Sequence, residues 1–109
     1  MRWREVCRWE ALRPELGAPV LVDGHLIALF RTEDGELYAL GNVDPVSSAS
    51  VMSRGIVGDR AGEPVVASPM HKQVFSLRSG RCLDVTHPEL ALPTYAVRRQ
   101  GDVVEIGLP

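Results

Sequence analysis

The chain has 109 residues, with 12 basic and 14 acidic side chains and a net charge of −2. This length predicts one domain, residues 1–109, large enough to fold without disulfides or metals. The charge balance excludes the basic surface of a nucleic-acid-binding domain. No apolar run reaches the roughly 18 residues needed to cross a bilayer, and no secretory leader is recognisable. With two cysteines, Cys7 and Cys82, the sequence predicts a cytoplasmic protein with reduced thiols and no membrane partner.

The first half of the chain alternates short apolar runs with turn residues. Asp23-Gly24 lies between two of these runs. Such a pair indicates a tight hairpin, because both central residues of a type I′ turn need positive φ. Asp34-Gly35 makes the next break in the pattern. The strands predicted in this half are residues 3–6, 19–22, 25–31 and 37–41.

The second half continues the same pattern. Ser79-Gly80 and Gly101-Asp102 supply turn signals. Helix signals are weak everywhere and indicate only single turns, within residues 10–15 and 47–54. Strands at this spacing predict an all-β fold, an antiparallel β-sandwich or small barrel. The strands predicted in this half are residues 65–67, 73–77, 94–98 and 103–106.

Residues 42–63 form the longest region without a clear strand pattern. A loop of that length in a compact domain is usually functional or an insertion. Its part SRGIVGDRAGEP, residues 53–64, lacks the Gly-Lys-Ser/Thr of a phosphate-binding loop and is interpreted as a flexible loop. Either it is ordinary solvated chain, or it forms a docking surface, since Arg is enriched at protein interfaces. The candidate partner-binding residues are Met52, Arg54, Ile56, Asp59, Arg60 and Lys72.

Two stretches resemble the ligand-bearing loops of the Rieske family. They read LYALGNVDPVSSASVMSRG, residues 37–55, and VVASPMHKQVFSLRSGRCLD, residues 65–84. Rieske domains carry Cys-x-His in the first loop and Cys-x-x-His-x-x-x-Phe before a Ser/Thr-Gly turn in the second. The resemblance covers nearly the whole chain. It implies a Rieske-like β-fold with two long loops at the cluster-site end.

This resemblance places Asp44, Val46, Ser68 and His71 at the four ligand positions. A Rieske [2Fe–2S] centre needs two thiolates on one iron and two imidazoles on the other. Val46 has no donor atom, and the hydroxyl of Ser68 is a poor substitute for a thiolate on a soft iron–sulfur centre. The sequence therefore predicts a degenerate site without a cluster. Because a void is costly, we expect the loops to collapse, to fill with side chains or to admit water. We also expect a polar contact between His71 and Asp44 or Ser68.

Longer phrases are similar to one branch of the Rieske-like proteins. DPVSSASVMSRGIVGD, EPVVASP and KQVFSLRSGRCL resemble the small subunit of bacterial assimilatory NAD(P)H-dependent nitrite reductases, the NirD type. In that family the large subunit carries flavin, an iron–sulfur cluster and siroheme. The resemblance implies that this chain has no cofactor of its own. It also implies that the chain binds the large subunit and supports the reduction of nitrite to ammonium without being catalytic alone.

Other functions suit the same residues. A Rieske-type electron-transfer ferredoxin with a non-standard metal site is one, and a general protein-interaction module is another. Ser68, His71 and Asp44 have the composition of a hydrolase triad, but no Gly-x-Ser-x-Gly elbow surrounds the serine. A mononuclear metal site would need His25 or His87 as a third ligand, and the three histidines lack zinc-type spacing.

Overall fold

The computed structural model describes all 109 residues, which form nine β-strands and two single-turn 3₁₀ helices. The 3₁₀ helices are Trp9–Ala11 and Met52–Arg54. No helix is long and apolar enough to span a membrane. The strands are β1 (Arg2–Arg8), β2 (Gly17–Val22), β3 (His25–Arg31), β4 (Leu37–Gly41), β5 (Ile56–Arg60), β6 (Glu63–Ala67), β7 (Val74–Ser76), β8 (Thr94–Gln100) and β9 (Val103–Leu108).

Six of the strands form one antiparallel sheet and three form another. The large sheet has the order β1-β9-β8-β4-β3-β2, and the small sheet has the order β5-β6-β7. The large sheet curls until its end strands, β1 and β2, come into contact. This architecture confirms the predicted all-β, Rieske-like antiparallel fold, which lies between a sandwich and a small barrel.

The hairpin predicted at Asp23-Gly24 is present. Asp23 has φ 47° and Gly24 has φ 83°, the two positive values that a type I′ turn requires. The turn sets the register of β2 against β3, with Val22 opposite His25. The predicted hairpin between β8 and β9 also forms, with Gln100 opposite Val103.

One predicted loop is wrong. Residues 56–60, within the stretch interpreted as a flexible loop, form the strand β5, which pairs with β6 over its whole length. The connecting turn is Ala61-Gly62, with φ 52° and 89°. Predicted helical region 10–15 contains only two helical residues, Glu10 and Ala11, and region 47–54 contains three, Met52–Arg54.

The core has two parts, one on each face of β3. Ala28 and Phe30 belong to a cluster between the two sheets, and Ile27 and Leu29 belong to a cluster inside the curled large sheet. Alternate residues point to opposite faces because a strand has a side-chain period of two. Burial on both faces holds β3 and β4 rigidly beneath the loops that follow β4 and β6.

Candidate functional site

Two loops meet at one end of the molecule, at the positions that the resemblance assigns to cluster ligands. The first loop, residues 42–51, follows β4, and the second loop, residues 68–73, follows β6. Asn42 anchors the base of the first loop. Its carbonyl accepts a hydrogen bond from the Met52 N–H at 3.0 Å, and its side-chain Oδ1 accepts one from the Ser53 N–H at 2.7 Å. The loop therefore leaves the sheet in a fixed direction.

Each loop is closed by backbone hydrogen bonds. In the first, the Asp44 N–H donates to the Ala49 carbonyl and the Ser48 N–H donates to the Asp44 carbonyl, both at 2.8 Å. In the second, the Ser68 N–H donates to the Gln73 carbonyl and the Lys72 N–H donates to the Ser68 carbonyl, both at 2.9 Å. These bonds make each loop a compact turn whose first residues are held in place.

A direct hydrogen bond joins the two loops. The Ser68 hydroxyl donates to Oδ2 of Asp44. The other carboxylate oxygen, Oδ1, accepts the N–H groups of Val46 at 2.7 Å and Ser47 at 3.1 Å. Asp44 and Ser68 are 0 % and 1 % exposed. We call this buried contact the Asp44–Ser68 link; it joins the two positions that the resemblance assigns to the cysteine ligands of a Rieske cluster.

The charge of Asp44 is stabilised by its neighbours. Burial alone would raise the pKa of the carboxyl group, but the hydrogen bonds from Ser68, Ser47 and Val46, together with the positive charge that His71 can carry, outweigh it. The net effect lowers the pKa of Asp44 below its ordinary value. Asp44 is therefore an ionised acceptor at neutral pH, fixed in the loop.

The other two ligand-position residues do not join the link through their side chains. Val46 contributes only its N–H, and its side chain is 43 % exposed. His71 is exposed and makes no hydrogen bond. The expected polar contact between His71 and Asp44 or Ser68 is therefore wrong, because Ser68 bonds to Asp44 directly and His71 makes no hydrogen bond to either residue.

This donor set does not fit an iron–sulfur cluster. The Asp44 carboxylate and the Ser68 hydroxyl bond to each other, Val46 has no donor atom, and one imidazole remains at His71. Two thiolates and two imidazoles are needed. The hydrolase alternative does not fit the geometry either, since a catalytic serine is activated by histidine and Ser68 donates to Asp44.

The alternative metal site does not assemble. No three His, Cys, Asp or Glu side chains are close enough together to hold a metal ion. His25 lies with its Nδ1 3.3 Å from the Tyr95 hydroxyl. Nδ1 of His87 lies 3.6 Å from Oε1 of Glu89. Both residues belong to the connection between β7 and β8, outside the two loops of the site.

Five of the six predicted partner-binding residues are at the surface, and one is not. Met52 is completely buried, so its prediction as a partner-binding residue is wrong. The 3₁₀ helix turns its side chain into the cluster between the two sheets. Ile56, by contrast, is 76 % exposed on β5. The remaining exposed members of the set are Arg54, Asp59, Arg60 and Lys72.

A cleft beside β5 has almost no signature in the sequence. A concavity of about 300 Å³ separates β5 from the turn that connects β3 and β4. Its floor includes Tyr38, and four carboxylates line it against one guanidinium, that of Arg78. The only signal in the sequence is the acidic run TEDGE, residues 32–36. The four carboxylates belong to Glu15, Glu33, Asp34 and Asp59.

Comparison with protein families shows one match over almost the whole chain. The model of the Rieske-like [2Fe-2S] domain matches residues 2–107. The nitrite reductase (NADH) small subunit of Escherichia coli strain K12 is 32 % identical over 106 residues, which cover 96 % of each chain. This match is therefore end to end.

A second relative contains a region similar to this chain within a much longer chain. The nitrite reductase [NAD(P)H] large subunit of Klebsiella oxytoca is 39 % identical over 105 residues, which are 96 % of this chain and 11 % of that protein. Among solved structures, a Mycobacterium tuberculosis protein described as an NADH-dependent nitrite reductase small subunit superposes with a TM-score of 0.92. It is 46 % identical, and the match covers 96 % of this chain and 93 % of the other.

Proposed function

The chain belongs to the Rieske-like [2Fe-2S] domain family, within its group of nitrite reductase small subunits, and we propose that it is a cluster-free subunit that acts by binding a nitrite reductase large subunit. The Asp44–Ser68 link carries the proposal. A domain whose ligand positions are occupied by a hydrogen-bonded acid and alcohol has no means of accepting an electron there. Its contribution is then one of association and not of electron transfer.

The Klebsiella relative supports the choice of partner. In that protein the region similar to this chain is covalently part of the large subunit. Covalent attachment holds two modules at high effective concentration, which suits a domain that works in permanent contact with the rest of the chain. The same contact between separate chains is what the proposal requires here.

Flavin, iron–sulfur cluster and siroheme would all belong to the large subunit, as would the reduction of nitrite to ammonium. The small chain would contribute a surface. The exposed residues Arg54, Ile56, Asp59 and Arg60, on and before β5, are the proposed contact. They combine an apolar side chain with charged neighbours, the composition of many interface centres and rims. Lys72, at the tip of the second loop, is the remaining candidate.

Co-purification tests the proposal. The large subunit of the same organism, carrying an affinity tag, is co-expressed with this chain, and the complex is measured by mass and by iron content per subunit. We expect a stable complex in which the small chain, purified alone, is colourless and contains no acid-labile sulfide. A brown small chain with stoichiometric iron would favour the ferredoxin alternative. A colourless chain that does not bind the large subunit would favour a general interaction module.

A further inference from the structure

The outer edge of β5 has no hydrogen-bonding partner within the chain. Arg60 and Glu63 flank the two-residue turn Ala61-Gly62 and form the first hydrogen-bonded pair of the hairpin. Pairs alternate in an antiparallel ladder, so the backbone N–H and C=O groups of Val57 and Asp59 point away from β6. Neither residue takes part in any backbone hydrogen bond outside the regular ladder.

The other strand edges are protected. The edge strand β2 carries Pro19 opposite Ala28, at a position where the missing N–H would face outward. The edge strand β1 has a bulge between Glu5 and Cys7. Proline and bulges are common ways to block an edge from pairing with another chain. β5 contains no proline or lysine and has an unbroken register with β6.

The edge of β7 is covered by the chain that follows it. The Ser76 N–H donates to the Arg81 carbonyl, and the Leu83 N–H donates to the Val74 carbonyl, at 2.9 and 2.8 Å. Among the four sheet edges, β5 is therefore the one whose outward backbone groups are neither covered by the following chain nor interrupted by a proline or a bulge, although Asp59 and Arg60 place charges on it.

Gly58, at the centre of β5, is unexplained by this chain alone. A Cβ atom built there would meet only Cγ2 of Val65, at 3.9 Å. Gly58 does not have the positive φ that favours glycine. Glycine weakens a strand interior and often marks a place where another backbone approaches closely. Gly58 therefore leaves a gap among the side chains on one face of β5, which no other part of this chain fills.

The cleft beside β5 indicates the chemistry of the segment. Val57, Gly58 and Asp59 form one side of the cleft, and Glu15, Glu33 and Asp34 lie on the other. The Glu33 carboxylate has no ion-pair partner. Four carboxylates face one guanidinium across this space, so a positively charged occupant is electrostatically complementary.

From these observations we propose that an extended, basic segment of the nitrite reductase large subunit adds to the small sheet as a fourth strand, next to β5, with its basic side chains in the acidic cleft. This inference rests on the proposed function, since it names how the same partner binds. Strand addition supplies affinity through main-chain hydrogen bonds, and flanking side chains supply specificity. A second copy of this chain is the competing occupant.

A pair of substitutions at one residue isolates the backbone contact. Asp59→Pro removes the outward N–H while leaving the hydrogen bonds to β6 intact, and the edge position tolerates proline. Asp59→Ala is the matched control, because both variants lose the carboxylate and its hydrogen bond to the Gly62 N–H. We expect Asp59→Pro to bind the large subunit at least about tenfold more weakly than Asp59→Ala. Equal affinities would overturn the inference while leaving the association itself intact.

Hydrogen exchange gives a readout that does not depend on a variant. In the free chain the Val57 and Asp59 amides have no partner and should exchange fast. In the complex both should slow by at least about tenfold. Unchanged exchange at both amides in an otherwise stable complex would place the contact elsewhere and refute strand addition.

The charge term is tested separately. Glu33→Lys should weaken binding and flatten its dependence on salt, whereas Glu89→Lys, outside the cleft, should do neither. Equal effects of the two would refute the basic segment.

A chain that dimerises in solution, and whose dimer is lost in Asp59→Pro, would show the second copy to be the occupant. Failure of the wild-type chain to associate at all would remove the proposed function together with the inference.

Discussion

The hydroxyl of Ser68 donates a hydrogen bond to the buried carboxylate of Asp44, 24 positions earlier in the chain. In a Rieske domain the same two positions hold the same iron. In this chain a hydrogen bond connects the same two loops instead. It avoids the cost of an empty cavity at the loop tips. The two loops are thus joined directly at these positions, by a hydrogen bond between their own side chains.

Removing the serine hydroxyl should destabilise the fold measurably. Ser68→Ala leaves the buried Asp44 carboxylate with one hydrogen bond fewer, which costs about 1–3 kcal/mol. Urea unfolding followed by tryptophan fluorescence measures the loss. Ser50→Ala is the control, because Ser50 is exposed and its hydroxyl makes no hydrogen bond. Equal stabilities of the two variants would mean that the link contributes nothing.

The link should also make stability depend on pH in the acid range. The folded-state pKa of Asp44 lies below its ordinary value of 3.8. The ionised carboxylate therefore stabilises the folded chain above about pH 4, and this contribution disappears as the pH falls through the folded-state pKa. At pH values below about 4, the free energy of unfolding of the wild type should decrease.

Asp44→Asn separates this effect from that of other acids. The pKa of Asp34 is also lowered, chiefly by the Thr32 hydroxyl, so some acid destabilisation should persist in any variant. Asp44→Asn should be less stable than the wild type at neutral pH and lose less stability between about pH 5 and 2.5. A parallel acid dependence in both proteins would show that Asp44 does not titrate as described.

Much of the fold follows from local signals in the sequence. Asp23-Gly24 predicts a type I′ turn, and that turn determines the register of β2 and β3. β5 was missed because its turn begins at Ala61, which adopts φ 52°. Alanine is disfavoured there, so no local rule indicates a hairpin, and the charged, glycine-containing strand looks like a loop.

The site could be predicted only in part for a similar reason. The convergence of Asp44 and Ser68 follows from the family resemblance, but the choice of partners within the loops does not. Which side chain reaches Asp44 depends on a few backbone hydrogen bonds in the second loop. Burial of Met52 likewise depends on how the small sheet packs over the large one, a relation between distant parts of the chain.

Met52 and Ile56 should therefore behave in opposite ways. Met52→Ala removes a fully buried side chain from between the sheets and should cost about 2–5 kcal/mol. Ile56→Ala truncates a side chain that is 76 % exposed, and should change stability by less than about 0.5 kcal/mol. Chemical denaturation of both variants checks this. A large loss in Ile56→Ala would show that the side chain has a partner inside the chain.

The identity of the donors, and not the path of the backbone, should decide whether this fold holds iron. The wild-type chain, incubated with ferrous iron and sulfide under oxygen-free, reducing conditions and then desalted, should retain neither, and His71→Ala should behave in the same way.

The triple variant Asp44→Cys, Val46→His, Ser68→Cys restores two thiolates and, with His71, two imidazoles. Because this donor set is the one that a Rieske centre requires, we expect this variant to acquire visible absorbance and about two irons per chain. Iron retained by the wild type would contradict the cluster-free proposal. A triple variant that folds but stays colourless would show that the loops have moved beyond the geometry of a cluster site.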